Sequence, residues 1–377
     1  MKRKTTVKAK TVVFLLDYPL EDIGGASKSV KNIIDVLSKD NYEIHVIEPY
    51  NNNRSNDVIC HYWGKNSTSN KIKIFFQKIT SLTKIIKKIG PCIVNAQFSQ
   101  YGFVLSIAVY LHLISNKNIT IFTDRDFFDS YNNKYRFVFS ICGKKLNRII
   151  CTTNINATRW SKINPNTVVI HNTLEPLWYS YDEKEKINIK KKHGYSNDYF
   201  VIGFCGRYTA YKRWNDALLI CKKLQSINDV YFRFAISYIA GDESERGAKE
   251  YINKITNELG SKVQVIENAS TDEMNDFYYS INAFVLTSKN ESFGRTLLEA
   301  ASRKNVVIGT NSGGVPEVIG KEENLYPVGD IDKAVKIIKQ YVNSKEKYNA
   351  DKEYFFNRFH YEFGKNEFDK KILGIYK

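Results

Sequence analysis

The chain lacks the patterns that would place it quickly. Its six cysteines (Cys60, Cys92, Cys142, Cys151, Cys205, Cys221) form no C-x-x-C pair and no metal-like spacing with histidine. Buried free thiols in a reducing compartment are therefore expected, rather than a disulfide framework or a zinc site. No run of 18 or more apolar residues occurs, so no spanning helix is expected. G-x-G-x-x-G and G-x-x-x-x-G-K-[ST] are both missing, which argues against dinucleotide and P-loop sites. There is no internal repeat and no low-complexity tract. The start, MKRKTTVKAKTVVFLL, is basic and then apolar, but Val12–Leu16 is too short for a signal peptide. Asp17 and Pro19 follow with no small-residue cleavage site, so the first strand of a cytoplasmic protein is expected.

What is present is a basic, aromatic-rich chain: 377 residues, 14% aromatic, with a net charge of +16. An apolar share of 43% is globular, and the length suits two domains. Lys, Ile, Asn and Tyr are abundant, as AT-rich coding would favour, and no recognition module accompanies the charge, so nucleic acid is not an expected partner. An anionic membrane surface is one. Lys71–Ile89 places Ile72, Phe75, Phe76, Ile79, Leu82, Ile86 and Ile89 at helical spacing, flanked by Lys71, Lys73, Lys78, Lys84, Lys87 and Lys88. Such a helix either lies on a bilayer, with Lys84, Lys87 and Lys88 as contacts, or faces a core with a solvated lysine side.

Short apolar runs alternate with helix-period segments, which predicts α/β domains built on parallel sheets, two of similar size with a cleft between them. The first half gives strand Thr11–Leu16, helix Ala26–Ser38 and strands Glu43–Glu48, Cys92–Ala96, Ile119–Thr123, Arg148–Thr152 and Thr167–His171. Leu177–Asn197 turns charged and lysine-rich and reads as a linker. The pattern restarts at Phe200–Cys205, with helix Trp214–Gln225, strand Val230–Ile239, helix Glu245–Leu259 and strand Lys262–Ile266. Ser270-x-x-Glu273 reads as a capping box, and strand Asn282–Thr287 leads to Glu291.

Asn290–Val318, NESFGRTLLEAASRKNVVIGTNSGGVPEV, carries the densest signal. Glu291 and Glu299 stand either side of Phe293–Gly294, with Gly313–Gly314 beyond the next apolar run. A glycine opening a helix between two carboxylates suits a phosphorylated sugar, since backbone N–H groups attract phosphate and carboxylates accept from hydroxyls. Gly24–Gly25 opens the first helix, where the backbone can approach a ligand. Arg207 and Lys212 flank the end of Phe200–Cys205, where cations neutralise a diphosphate.

Together these residues resemble family 4 of the retaining glycosyltransferases, which have the two-domain GT-B fold. Gly24–Gly25–Ala26 is similar to that family's GGA loop, and Arg207 with Lys212 to its phosphate-binding pair. Glu291-Ser-Phe-Gly-x4-Glu299 is similar to its E-x7-E motif, Ser312–Glu317 to its GGxPE segment, and Asn172 to its pre-linker asparagine. The resemblance implies two Rossmann-like domains, 1–178 for the acceptor and 199–357 for the donor, a linker at 179–198, and a C-terminal helix at 358–377 returning to the first domain.

It also implies roles. Arg207 and Lys212 hold the donor diphosphate with the backbone at Phe293 and Gly294; Glu299 takes the ribose, Glu291 the transferred sugar, and Gly25 approaches the phosphates. Glu291, Arg207, Lys212 and Asp126 are the catalytic candidates, with Arg125 and Asp126 lining an acceptor pocket. The implied donor is a UDP-sugar, the acceptor a glycan or lipid-linked molecule of a bacterial surface, and no metal is needed. The chain departs from the family at Arg125–Asp126, where a His-Asp pair is usual, at Thr287 for proline and at Thr173 for glycine. Asp124-Arg-Asp126 is also formally the D-x-D of metal-dependent, single-domain GT-A transferases, though that reading leaves Glu291 and Glu299 unexplained. A non-catalytic sugar-nucleotide binder, an epimerase and a glycan phosphorylase on the same fold are the other readings.

Overall fold

Near-continuous apolar strands are the mark of sheets buried on both faces, and the computed structural model shows two of them. It describes residues 10–21, 24–49, 58–63 and 70–377. Two units result: residues Met1–Thr173 with Lys365–Lys377, and residues Leu174–Gly364.

Among the described residues the first unit has β1 (Thr11–Leu15), β2 (Glu43–Glu48), β3 (Ile59–Tyr62), β4 (Ile93–Ala96), β5 (Ile119–Asp124), β6 (Arg148–Cys151) and β7 (Thr167–Val169), in the order β3-β2-β1-β4-β5-β6-β7. All pair in parallel. The strand period of two divides each strand between two cores. Val13, Leu15, Val94 and Phe122 join one; Val12, Phe14, Ile93 and Ile121 join the other. Helix Lys365–Tyr376 closes the second of these with Phe368, Ile372 and Tyr376, and Tyr42 Oη donates to the Tyr376 carbonyl at 2.7 Å. The returning element starts later than 358, because helix Lys345–Glu362 places Phe355 and Phe359 in the other unit's core.

The second unit has β8 (Phe200–Arg207), β9 (Val230–Ser237), β10 (Val263–Glu267), β11 (Ala283–Leu286), β12 (Val306–Thr310) and β13 (Leu325–Tyr326), parallel in the order β10-β9-β8-β11-β12-β13. The expected capping box at Ser270 and Glu273 is present. The segment expected as a linker is instead part of this unit. Trp178 is in its core, and helix Glu183–Lys192 buries two of the lysines that made it look solvated. Lys186 Nζ donates to the Arg303 carbonyl (2.7 Å) and Asn305 Oδ1 (2.8 Å), and Lys190 Nζ to the Tyr199 carbonyl (3.0 Å). Burial pushes the Lys190 ammonium down to about 8, with Asp198 opposing. The cysteines are all free, and burial raises the Cys92 thiol to about 11, so it is inert.

Each strand order reverses once, between β1 and β4 and between β8 and β11. In doubly wound sheets the carboxyl ends at such a point form the ligand crevice.

Candidate active site

In the second unit β8 ends at Gly206–Arg207. Gly206 has φ +149°, and a Cβ there would lie 3.2 Å from Lys212 Cε, so the lysine stem runs over the glycine. The turn Ala210–Lys212 returns the chain, and Arg213 follows in the left-handed region (φ 53°) with its Nε 2.6 Å from Asp216 Oδ2. Thr287 Oγ1 donates to the Lys212 carbonyl (2.6 Å) and the Lys289 N–H to the Tyr211 carbonyl (2.8 Å), fixing this turn to the end of β11. Lys212 Nζ then sits 2.7 Å from Glu291 Oε2, with the lysine 9% exposed. Burial works against its charge, but Glu291 and Tyr211 outweigh it and hold the ammonium above the usual lysine range.

Glu291 lies on a loop that crosses the glycine pair. The Gly314 N–H donates to the Glu291 carbonyl at 2.8 Å, and the Asn290 N–H to Ser312 Oγ at 2.9 Å. At Gly313 (φ +59°) a Cβ would fall 2.1 Å from the Glu291 carbonyl oxygen, so only glycine fits the crossing. Gly294 (φ 88°) precedes helix Arg295–Ala301, and no side chain caps that helix. Phe293 is buried against Phe363, so it has only its backbone to offer a ligand.

One turn into the helix, Glu299 is held differently. Its Oε2 accepts from Tyr278 Oη (2.9 Å), and its Oε1 lies 3.5 Å from Arg295 Nη2. The same Nη2 is 2.9 Å from both carboxylate oxygens of Glu175. Buried hydroxyls of Ser288 and Thr296 have no partner among the described residues.

In the first unit, Gly24 accepts the Lys28 N–H (3.1 Å) and Gly25 is exposed at the first turn of helix Gly25–Lys39; Asp22 and Ile23 before them lie outside the described residues. Arg125 is tied sideways, with Nε and Nη2 donating to Gln97 Oε1 (3.0 and 2.8 Å) and Nη1 to Asn172 Oδ1 (3.1 Å). Asp124 is wholly buried and accepts from Tyr131, Trp160 (2.5 Å), Asn156 (3.0 Å) and the Asp126 N–H (3.1 Å). Burial, helped by Asp126, pushes its carboxyl up to about 6. Asp124 and Asp126 therefore do not form an open D-x-D pair, and Asp124 is a structural acid.

The edge also holds a group that sequence reasoning passed over. Asp17, just after β1, has a carboxyl pushed up to about 7, chiefly by burial, with Asp126 raising it and Lys78 and the Gln100 N–H opposing. Its Oδ1 is buried without a partner among the described residues, as are Gln97 Nε2, Trp63 Nε1 and the hydroxyls of Thr152 and Thr153. These residues follow β1, β4, β3 and β6, and so belong to one sheet edge.

Two family models match this chain: "Glycosyl transferases group 1" over residues 185–358 and "Glycosyl transferase 4-like" over residues 25–153. The chain belongs to the family 4 glycosyltransferases. A Staphylococcus aureus relative, the capsular polysaccharide biosynthesis glycosyltransferase CapM, is 24% identical, covering 85% of this chain and 86% of its own. The N-acetyl-alpha-D-glucosaminyl L-malate synthase of Bacillus anthracis is 26% identical over 47% of this chain and 46% of its own. Among solved structures, HepE of Anabaena in complex with UDP and glucose superposes with a TM-score of 0.77 at 14% identity, covering 97% of this chain and 99% of that one. Sucrose-phosphate synthase of Thermosynechococcus elongatus gives 0.80 at 14% identity over 97% and 98%. The fold of this glycosyltransferase is GT-B.

Within the glycosyltransferase, Lys212 and Glu291 are in direct contact, and Glu299 has a separate set of partners. Arg207 is exposed at the end of β8 and gives its carbonyl to Trp214 Nε1 (3.2 Å). Behind Ser244, which acts first, its charge helps to hold Asp242 below the usual carboxyl range. Tyr278, Arg295 and Glu175 were missed. Arg295 stands four residues before Glu299, a helical pair visible in sequence, whereas Tyr278 and Glu175 carry no local signal.

Proposed function

We propose that this glycosyltransferase moves a sugar from a UDP-sugar to a hydroxyl of a glycan or lipid-linked acceptor, with retention and without a metal ion. The observation that carries the reading is the Lys212–Glu291 contact at 2.7 Å beside the Gly313 crossing, a buried cation already aimed at one place. Lys212 and Arg207 take the charge that grows on the diphosphate as its bond to the anomeric carbon breaks. The acceptor oxygen bonds to that carbon on the same face, and its proton passes to the departing phosphate oxygen. Glu291, released from Lys212, accepts from hydroxyls of the transferred sugar, and Glu299 from the ribose. The backbone of Phe293 and Gly294 approaches the phosphates.

The unpartnered groups at the first sheet's edge, with Asp17 and Asp126, suit an acceptor rich in hydroxyls. Arg125 orients Gln97 beside them. The names of the relatives, one for capsular polysaccharide synthesis and one solved with UDP and glucose, support both halves of the reading. Buried free thiols fit a cytoplasmic setting.

The test is a thermal-shift panel of nucleotide sugars, followed by nucleotide release from the best of them in EDTA. Stabilisation by a UDP-sugar and release unaffected by EDTA are expected. Release that requires added Mn²⁺ or Mg²⁺ would overturn the metal-free assignment, and no response to any nucleotide sugar would overturn the donor site.

A further inference from the structure

Residues 58–123 contain eight lysines and no aspartate or glutamate. Helix Lys71–Ile89 divides its apolar residues within that stretch. Ile79, Leu82 and Ile86 are in the first unit's core, while Ile72 and Phe76 are 68% and 60% exposed. Ile72, Phe76, Thr80, Lys84 and Lys87 are all exposed and fall at intervals of four, four, four and three, one outward stripe of the helix. The core-facing use expected of this helix is met by Ile79, Leu82 and Ile86, and the exposed stripe runs along an adjoining side.

The stripe ends against a second exposed feature. Helix Ser99–Tyr110 finishes in a corner that leaves Tyr110, Leu111 and Leu113 exposed. Between the two lies a groove of about 640 Å³ lined by Lys84, Lys87, Pro91, His112, Leu113 and Lys117. Lys84, Lys87 and Lys117 make no ion pair among the described residues. Lys88 is not in the groove lining and acts on His61 instead. A solvated lysine face would not interleave its cations with exposed Phe, Ile and Leu.

We infer that this face docks on an anionic lipid bilayer, with lipid phosphates between Lys84, Lys87 and Lys117, and Ile72, Phe76, Leu111 and Leu113 entering the headgroup layer. An acidic protein would use the lysines but give the apolar side chains no role. No helix among the described residues is long and apolar enough to cross a membrane, so attachment of this kind is to the surface. The inference does not depend on the donor or the reaction.

Flotation of the full chain with phosphatidylcholine vesicles, with and without an equal share of phosphatidylglycerol, tests it. Wild type should float only with the anionic vesicles and lose binding as salt rises. The triple change Lys84→Glu, Lys87→Glu, Lys117→Glu should lower partitioning at least about tenfold. Lys336→Glu, Lys339→Glu, Lys345→Glu carries the same charge change on exposed positions of the other unit and should float nearly as well as wild type. Leu111→Ser with Leu113→Ser should lower partitioning several-fold while melting temperature is retained. Three results would overturn the inference: no flotation of wild type, equal loss in the two triple variants, or serine variants that float like wild type.

Discussion

The two sheet edges of this glycosyltransferase are built on opposite principles. At the second, charge meets charge before any ligand arrives: Lys212 with Glu291, Arg213 with Asp216, Arg295 with Glu175 and Glu299. At the first, buried polar atoms of five residues, Asp17, Trp63, Gln97, Thr152 and Thr153, have no partner among the described residues, against the hydroxyls of Ser288 and Thr296 at the second. A group left unpaired in the interior costs free energy, so the first edge gains most from a ligand that supplies hydrogen bonds. On the proposed reading, the second is preorganised for negative charge developing on a donor diphosphate. Under the function proposed above, the second unit would carry the donor chemistry and the first the acceptor choice.

The strongest way to break that contrast is to empty the second edge. Arg207→Ala with Lys212→Ala should lower turnover by at least about 10³-fold, followed by nucleotide release; near-normal rates would remove the phosphate assignment. Next comes the crossing itself. Gly313→Ala puts a methyl group against the Glu291 carbonyl and in a left-handed conformation, so it should cost about 2 kcal/mol or more in denaturant unfolding and weaken UDP binding. Glu299→Gln keeps the shape but removes the charge, and a fall of about tenfold in UDP affinity is expected by calorimetry. Unchanged affinity would separate Glu299 from the ribose.

The first edge should answer to pH. Asp17 is raised from 3.8 to about 7 in the folded state, so between those values the native state holds more protons than the unfolded one. Stability is then greatest at low pH within that window and declines as pH rises toward 7. Lys78 opposes the shift and Asp126 adds to it. Asp17→Asn should flatten the melting-temperature profile between pH 5 and 7 while leaving UDP affinity intact; an unaltered slope would place the titration elsewhere, with Asp124 the next acid to examine. The smallest effect is expected at Thr287→Val, which loses the bond to the Lys212 carbonyl, about 1 kcal/mol by unfolding, with a modest loss of turnover.

Much of this was readable along the chain because it is written locally. Apolar runs marked the strands, Glu291 and Glu299 stood at a fixed spacing, and the pair Gly313–Gly314 stood just beyond the next apolar run. Thr287 shows where local reading stops short: along the chain it is only a departure from proline, yet its hydroxyl anchors the Lys212 carbonyl. Lys186 and Lys190 misled, since a lysine-rich segment reads as solvated unless its ammonium groups find carbonyls 117 and 9 residues away. Asp17 was invisible for another reason. Its place beside Gln97 follows from β1 pairing with β4, a fact of strand order rather than of sequence.

The contact between Lys212 and Glu291 has a consequence for small anions. A bare anion such as inorganic phosphate must displace a carboxylate already 2.7 Å away and leaves that carboxylate with nothing in return. A sugar diphosphate brings hydroxyls that Glu291 can accept from at the same moment. The enzyme is thus expected to resist inhibition by phosphate and sulfate at the concentrations found in cells, and Glu291→Gln is expected to make it sensitive to both.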